Sequence, residues 1–220
     1  NCDWSSDVCS SDLFDPACGC GNFLVISYRE LRELELQVLR ASHELSAHKG
    51  QLTVDVHALI GVNVDQFYGI EIEEFPAQIA QVALWLVDHQ MNLRVSVEFG
   101  LYFARIPLTR TPHIRQANAL RLDWNDVLPA QRCSYVLGNP PFLGKQHQSA
   151  SQKKAMEQVT HGINGAGVLD FVSAWYIKAA IYAKSKPTIG VGYVSTNSIV
   201  QGEQVGILWG WMLAQGVKIN

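Results

Sequence analysis

The segment Asn139-Pro140-Pro141-Phe142 contains residue types that can hold an amine in position for reaction. The two prolines stiffen the turn and remove two backbone donors, which leaves the Asn139 side-chain oxygen and the Pro140 carbonyl as fixed acceptors. Phe142 adds an apolar plate beside them. Such a site can accept both hydrogens of a planar amine, stack on the ring that carries it and direct its lone pair at an electrophile. Taken alone, the segment is equally typical of an ordinary Asn-Pro turn.

A glycine-rich segment at residues 15–23 (DPACGCGNF) stands between a predicted strand and a predicted helix. Glycines allow a ligand to approach the backbone, and the amino terminus of the helix offers free N–H groups to an acidic group. The spacing is not that of a phosphate-binding P-loop. Cys18 and Cys20 are two thiols where a structural zinc site needs four ligands, so we expect no metal site here.

Glu71 ends the next predicted strand and is a second candidate for ligand binding. An acid at the carboxyl end of the second strand can accept hydrogen bonds from ribose hydroxyls. Glu73 and Glu74 fit the start of a helix better. The glycine-rich segment and the strand-end acid together favour a ligand that contains a nucleoside.

These residues need elements that bring them together, and the pattern along the chain predicts such elements. Short β-rich runs alternate with helical periodicities, which indicates βαβ units and a mainly parallel sheet. Strands are expected at 13–15, 66–72, 114–120, 134–137 and 188–195, the last of them buried. Helices are expected at 23–40, from Pro76 onward, at 169–184 and at 204–214.

The predicted helix that begins near Pro76 should bury Ile79, Val82, Ala83 and Leu86. A less regular stretch is expected at 95–112 and a mobile polar loop at 145–167. Residues 216–220 are expected to form a turn and the start of a further strand.

The composition is that of a globular domain. The chain has 220 residues, of which 48% are hydrophobic, 17% charged and 10% aromatic, and its formal net charge is −3. These values exclude a disordered chain, and no apolar run approaches the ~20 residues of a membrane-spanning helix. A polyanionic partner would therefore have to be bound by a local basic patch.

Residues 1–13 (NCDWSSDVCSSDL) have no basic region and no apolar core, which excludes a signal peptide. Residues 3–13 match the in-frame translation of a common sequencing-library adapter. We therefore expect a non-native, adapter-derived tail at 1–13 and the domain itself at 14–220, a natural Ser/Asp-rich tail being the alternative.

The remaining Cys18, Cys20 and Cys133 make a poor disulfide framework, which favours a reducing, intracellular setting.

Four segments in this order, DPACGCGNF, FYGIEIEEFPAQIAQVALWL, ANALRLDW and GNPPF, resemble the S-adenosylmethionine-dependent DNA methyltransferases that modify the N6 amine of adenine. The likeness is in particular to the MmeI-like enzymes of restriction–modification systems. LDFVSAWYIKAA and VGYVSTNSIVQGEQVGILW fit the same group, so the resemblance covers nearly all of residues 14–220. It implies an α/β fold, a Rossmann-like class I methyltransferase sheet with helices on both faces, here truncated at both ends. It also implies a cytoplasmic, prokaryotic protein.

The resemblance further implies a role for each residue of the motifs in binding S-adenosyl-L-methionine. The methionine end of this cofactor would be lined by residues of the glycine-rich segment: Asp15, Ala17, Gly19, Gly21 and Phe23. Glu71 would bind the ribose, and Ile72 would pack on the adenine ring. Asn118 would contact the adenine amine of the cofactor, with Asp123 as a second candidate for that contact.

Asn139, Pro140, Pro141 and Phe142 would hold the target adenine, which must be flipped out because its amine is inaccessible within the duplex. The implied chemistry is direct in-line attack of N6 on the sulfonium methyl, with no covalent enzyme intermediate and no metal. The implied partners are double-stranded DNA and an endonuclease that is either fused or separate, with no membrane. The oligomeric state stays open. The acid-free stretch with Lys145, Lys153 and Lys154 is expected either to close over DNA or to be a solvated loop.

Two alternatives remain open at this point. One is a protein-glutamine or RNA N-methyltransferase, because a glutamine amide presents the same planar amine to the NPPF segment. The other is a catalytically inactive module that binds cofactor or DNA, against which the intact Asn139 and Phe142 argue. The family's amino-terminal cofactor-binding helix and its target-recognition domain are not found in the 220 residues. We therefore expect the chain expressed alone to be poorly stable and inactive.

Overall fold

The computed structural model describes residues 12–48, 60–99 and 110–219. Its strands are β1 (Asp12–Asp15), β2 (Phe67–Glu71), β3 (His113–Gln116), β4 (Cys133–Gly138) and β5 (Gly190–Tyr193). Its α-helices are α1 (Asn22–His48), α2 (Glu74–Phe99), α3 (Ala150–Val159), α4 (Ser173–Ala183) and α5 (Gln204–Ala214). These strands pair in parallel in the order β3-β2-β1-β4-β5. The predicted α/β fold with a parallel sheet is confirmed.

Helices cover both faces of the sheet. Successive residues of a strand point to opposite faces, so each strand contributes apolar side chains to both. Leu13 of β1 and Phe67 of β2 belong to an apolar cluster with residues of α1 and α2. Phe14 and Tyr68, the next residues in each strand, belong to a larger cluster on the other face with residues of α3, α4 and α5. A sheet covered in this way is typical of all-parallel α/β folds.

The strand order brings the candidate residues to one edge of the sheet. From β1 the chain moves outward through β2 to β3, then returns to place β4 on the other side of β1. The reversal between β1 and β4 makes a crevice at their carboxyl ends, where ligands of open α/β sheets bind. Asp15, Glu71 and Gly138 are the last residues of β1, β2 and β4, so all three border this edge.

Residues 1–11 of the predicted tail lie outside the described residues, but Asp12 and Leu13 form the first half of β1. Asp12 is fully buried, and Arg132 Nη2 lies 2.7 Å from its Oδ2. Burial raises the pKa of this carboxyl above its usual range, against the lowering effect of Arg132. A buried carboxylate is out of place in a central parallel strand, whose residues are normally apolar on both faces. The assignment of the tail stays a prediction.

Three predictions about the first two helices are corrected. Helix α1 continues to His48, well beyond residue 40, and α2 continues to Phe99 through part of the stretch predicted to be irregular. The predicted apolar face of α2 is wrong, since Val82 and Leu86 are 50% and 52% exposed. The buried face instead consists of Ala77, Ala80, Leu84, Val87, Met91, Asn92 and Val95. Residues 100–109 of the irregular stretch lie outside the described residues.

Further differences concern the second half of the chain. The region 145–167 was expected to be a mobile loop but contains α3, with Ser149 and Gln152 forming a capping box at its start. Strand β3 ends at Gln116, four residues before the predicted end, and β5 spans four residues that are half-buried or exposed rather than buried. Helix α5 has the predicted bounds. Residues 217–219 form no strand, and residue 220 lies outside the described part.

Candidate active site

Asp15 ends β1 and is 1% exposed. Its Oδ1 accepts a hydrogen bond of 2.9 Å from the backbone N–H of Ala17, which fixes the carboxylate beneath the glycine-rich loop. The pKa of Asp15 is raised to about 7, mainly by burial and to a smaller extent by the nearby charge of Glu71, against the lowering effect of the Ala17 N–H. A carboxyl group in this state favours a cationic partner, because an opposite charge at hydrogen-bond distance recovers the cost of burying the anion.

The glycine-rich loop has two positions at which the backbone requires glycine. Gly19 and Gly21 have φ values of +54° and +84°, in the left-handed region that other residues rarely adopt. A Cβ on Gly21 would lie 2.9 Å from the Cβ of Ala80, so the loop packs closely against α2. A Cβ on Gly19 would meet nothing within 4 Å, which leaves open space beside the loop backbone.

Glu71 is fixed by backbone donors on either side. Its Oε2 accepts from the N–H of Gly19 and its Oε1 from the N–H of Glu73, both at 2.9 Å. The acid at the end of β2 is thereby joined to the glycine-rich loop, as a shared ligand site requires. Ile72 follows it with 56% of its surface exposed, an apolar side chain available to cover a ring.

The structure separates the two candidates for the contact with the cofactor's adenine. The backbone N–H of Ala117 donates to the Glu71 carbonyl at 2.8 Å, so the neighbouring Asn118 lies next to the Glu71 site. The Oδ1 of Asn118 accepts from the Leu120 N–H at 3.0 Å, which leaves its amide N–H₂ for another partner. Asp123 instead accepts from the Asn125 N–H at 2.9 Å and caps a short 3-10 turn.

Asp123 also faces a different cavity. This cavity of about 520 Å³ is formed by the segment 120–125 together with residues of α3 and α4. The lining of this cavity includes no residue of the glycine-rich loop, and neither Glu71 nor Ile72. The geometry therefore groups Asn118, and not Asp123, with the other candidate residues.

The NPPF turn is anchored at both ends. The Gly138 carbonyl accepts from the Val194 N–H, and the Leu143 carbonyl accepts from the Phe171 N–H, each at 2.9 Å. Pro140 is buried, whereas Asn139 and Pro141 are exposed and Phe142 is 41% exposed. Within the described ranges the Asn139 amide has no hydrogen-bond partner, so the anchored turn presents a free amide and an accessible ring.

Gly138 connects this turn to the buried acid. A Cβ on Gly138 would lie 2.5 Å from Asp15 Oδ1, which only glycine permits. The carboxylate at the end of β1 and the NPPF turn at the end of β4 are therefore in direct proximity. The structure thus brings together Asp15, the glycine-rich loop, Glu71, Asn118 and the turn at 139–142.

Two supporting residues could not be assigned a role from sequence. Trp175 is buried in α4, and its Nε1 donates to the Pro16 carbonyl at 3.1 Å, which holds the start of the glycine-rich loop. Cys18 is buried, and burial raises the pKa of its thiol above the usual range. A Cβ on Gly69 would lie 2.8 Å from Cys18 Sγ, so this cysteine has a packing role. A buried indole N–H usually needs a hydrogen-bond acceptor, and this need was the available sign that Trp175 holds another segment in place.

Metal and membrane sites are not seen in the described part of the chain. Across residues 12–48, 60–99 and 110–219, no three His, Cys, Asp or Glu side chains are grouped so that they could hold a metal ion. Over the same ranges, no helix combines the length and the apolar character needed to cross a membrane.

Comparison with known proteins gives matches over almost the whole chain. Residues 4–220 match the family described as MmeI, DNA-methyltransferase domain. A protein called DNA methyltransferase A, from Bacillus subtilis, is 41% identical over 211 residues, which are 94% of this chain and 23% of that protein. A putative type II restriction enzyme and methyltransferase from Methanocaldococcus jannaschii is 24% identical over 79% of this chain and 15% of its own length.

Solved structures agree with these matches. The type IIL restriction-modification enzyme MmeI in complex with DNA superposes with a TM-score of 0.87 and 59% identity, over 94% of this chain and 27% of that one. A nuclease-deletion mutant of the type ISP restriction-modification enzyme LlaGI superposes with a TM-score of 0.53 and 14% identity, over 90% and 16%. The second likeness shows the fold alone. The chain spans about a quarter of the length of the Bacillus protein and of the MmeI chain.

Proposed function

Because this chain belongs to the MmeI DNA-methyltransferase domain family, we propose that it is the catalytic part of an enzyme that methylates the N6 amine of adenine in double-stranded DNA. The methyl donor in this proposal is S-adenosyl-L-methionine. The observation that carries the proposal is the proximity of Asp15 to the NPPF turn across Gly138. One site binds an ammonium-bearing ligand and the other an amine, and the two lie side by side.

The residues present fit this cofactor. The open space beside Gly19 admits its methionine end, close to the buried carboxylate of Asp15. Ala17, Gly21 and Phe23 complete the loop around that end. Glu71 has free lone pairs for ribose hydroxyls, the exposed Ile72 can cover the adenine ring, and Asn118 can meet its amine. S-adenosyl-L-methionine, when bound, supplies an electrophilic methyl group on its sulfonium.

The NPPF turn orients the amine that is to be methylated. The Asn139 side-chain oxygen and the Pro140 carbonyl each accept one hydrogen of the amine, and Phe142 stacks on the base. This arrangement turns the nitrogen lone pair toward the methyl group and disperses the positive charge that develops on nitrogen. Pro140 and Pro141 contribute stiffness, so that little conformational freedom is lost when the base enters. In the transfer, N6 would bond to the methyl carbon as the bond between that carbon and the sulfonium sulfur breaks, leaving the cofactor as a neutral thioether. N6 would release one proton to solvent.

The partner in this proposal is duplex DNA with one adenine extruded, because the N6 amine cannot be reached inside the stack. MmeI, 59% identical to this chain, is named as a type IIL restriction-modification enzyme, and its structure is in complex with DNA. We assign this protein to a restriction–modification system, with an endonuclease that is fused or separate, in the cytoplasm of a prokaryote.

The variant Asn139→Ala, made in the full-length protein, tests this assignment. It removes one acceptor of the target amine and leaves every residue of the cofactor site in place. We expect DNA methylation to fall at least a thousandfold, while the dissociation constant of S-adenosyl-L-methionine changes less than threefold. Methyl transfer is measured with radiolabelled cofactor on duplex DNA, and cofactor binding by calorimetry.

The matched control is Gln146→Ala, an exposed amide that follows the turn and is given no role in it. It should retain full activity. Loss of cofactor binding in Asn139→Ala would place Asn139 in the cofactor site instead. Transfer of label to RNA or protein rather than DNA would overturn the proposed substrate.

A further inference from the structure

Helix α2 has apolar side chains on two opposite faces. One face packs against the sheet and α1, and its side chains are mostly small or aliphatic. The other face is exposed to solvent and is formed by Phe75, Val82, Leu86, Leu93 and Val97. We call this second set the outer stripe of α2.

The outer stripe is continuous along the helix. Its residues are separated by seven, four, seven and four positions, which places them within roughly 60° of one another around the helix axis and over ~33 Å of its length. Each is at least 47% exposed, and Phe75 and Val97 reach 73% and 86%. Soluble proteins rarely leave a contiguous apolar patch of this length uncovered. A helix that is apolar on both faces is typical of one that is buried on both faces.

The surroundings of the stripe fit a protein partner rather than a lipid surface. Its flanks carry the uncharged, exposed Gln78 and Gln90, and α2 contains no lysine. A helix that lies on a membrane surface usually carries several Lys or Arg residues on its polar face. The charged Arg94 and Glu98 of α2 are already paired with Glu33 and Arg40 of α1.

The spacing of seven and four residues indicates the shape of the partner. It is the spacing with which one helix packs along another at a shallow angle of about 20°. Two relatives are at least 41% identical to this chain, and in each of them the matched region is only part of a longer polypeptide. It makes up 23% of the Bacillus protein and 27% of the MmeI chain. We propose that in the full-length protein a helix from another part of the same polypeptide packs along the outer stripe of α2. This inference does not rest on the methyltransferase activity.

Hydroxyl-radical footprinting with peptide mass spectrometry tests the proposal on unmodified protein. The 220-residue chain and the full-length polypeptide from the same gene are compared at equal concentration. We expect oxidation of Phe75, Leu86 and Leu93 to fall at least fivefold in the full-length protein. Unchanged oxidation of these three side chains would overturn the proposal.

The variant Leu86→Glu, made in the full-length protein, gives a second test, with Gln90→Glu as the matched control. Leu86→Glu should lower the melting temperature by at least 4 °C and restore oxidation of Phe75 and Leu93, whereas Gln90→Glu should do neither. A melting temperature of the Leu86→Glu variant equal to that of the wild type would overturn the proposal. Protection that disappears on dilution, together with a dimer in sedimentation, would overturn it in favour of a second copy of the chain.

Discussion

Asp15 is the residue whose ionisation most directly links the fold to the proposed cofactor site. Its carboxyl is 1% exposed, and burial raises its pKa to about 7. Because the folded value lies above the unfolded one, the contribution of this group to stability is fully present below about pH 3.8 and is lost as the pH rises through about 7. Above neutral pH the protein without cofactor therefore keeps an uncompensated buried charge, which a bound ammonium group would compensate.

The variant Asp15→Asn keeps an acceptor for the Ala17 N–H and removes the charge. At pH 8 we expect its free energy of unfolding to exceed that of the wild type by up to ~4 kcal/mol, and its melting temperature to be higher. At pH 4 both quantities should be close to those of the wild type. We also expect the cofactor-induced rise in melting temperature to disappear. Thermal unfolding at both pH values, with and without S-adenosyl-L-methionine, measures both effects. A variant that melts below the wild type at pH 8, or that keeps the cofactor-induced rise, would contradict the assignment.

From the sequence, Asn118 was the candidate for the adenine contact and Asp123 a second candidate, and the structure distinguishes their positions. Asn118→Ala removes a donor next to Glu71, so we expect the dissociation constant of the cofactor to rise about tenfold, the cost of about one hydrogen bond. Asp123→Ala, the matched control, should change it less than twofold. Titration calorimetry measures both. The reverse ranking would show that the segment 120–125 forms the adenine contact.

The positions of the candidate site residues could be predicted from sequence where a strand end fixes them, and could not where they depend on distant contacts. Asp15, Glu71 and Asn139 each follow or end a short apolar strand, so their place at one edge of a parallel sheet follows from the pattern. The contact of Trp175 with Pro16 joins residues 159 positions apart and has no local signal. The need for glycine at position 138 likewise arises from Asp15 on the neighbouring strand.

At the scale of elements, α5 and α2 show what periodicity can and cannot determine. The bounds of α5 were predicted at 204–214, as the structure has them. For α2 the period was right but the face was wrong, because the helix is apolar on two sides and the larger side chains lie on the outer one. The missed helix α3 is polar, yet its Ser149–Gln152 capping box is a local signal that could have identified it.

Helix α3 carries a prediction about DNA binding. Arg121 donates to Ser151 at 3.3 Å, which places the first turn of α3 beside the turn that follows β3, at the carboxyl edge of the sheet. Lys153 and Lys154 are exposed on this helix, and no acid occurs between Asp126 and Glu157. In the full-length protein we expect Lys153→Ala with Lys154→Ala to reduce the slope of log affinity for DNA against log salt concentration by about 1.8.

The control for this prediction is Lys184→Ala. Lys184 is exposed at the end of α4, which leads into the start of β5 at the opposite edge of the sheet. Its removal should leave the slope unchanged in the same fluorescence-anisotropy titration. An unchanged slope in the double variant would show that α3 is a solvated surface helix.

At the scale of the whole molecule, the proposed function depends on one reversal of strand order. Motifs that are far apart in the sequence meet because β1 lies between β2 and β4, so that the candidate cofactor residues and the NPPF turn border the same crevice. One side of this crevice carries Glu71, Glu73 and Glu74, and the other continues into the acid-free segment with Lys145. Alternating strands and helices in the sequence predicted this sheet.

The most direct test of the proposed function is the identity of the methylated base. Duplex DNA incubated with the full-length protein and S-adenosyl-L-methionine is digested to nucleosides and analysed by mass spectrometry, with Asn139→Ala as the negative control. We expect N6-methyl-2′-deoxyadenosine as the only new nucleoside, and we expect it to be absent from the control reaction. A methylated cytosine, or modified adenine that persists in the Asn139→Ala reaction, would contradict the proposal that the NPPF turn holds a flipped adenine for methylation.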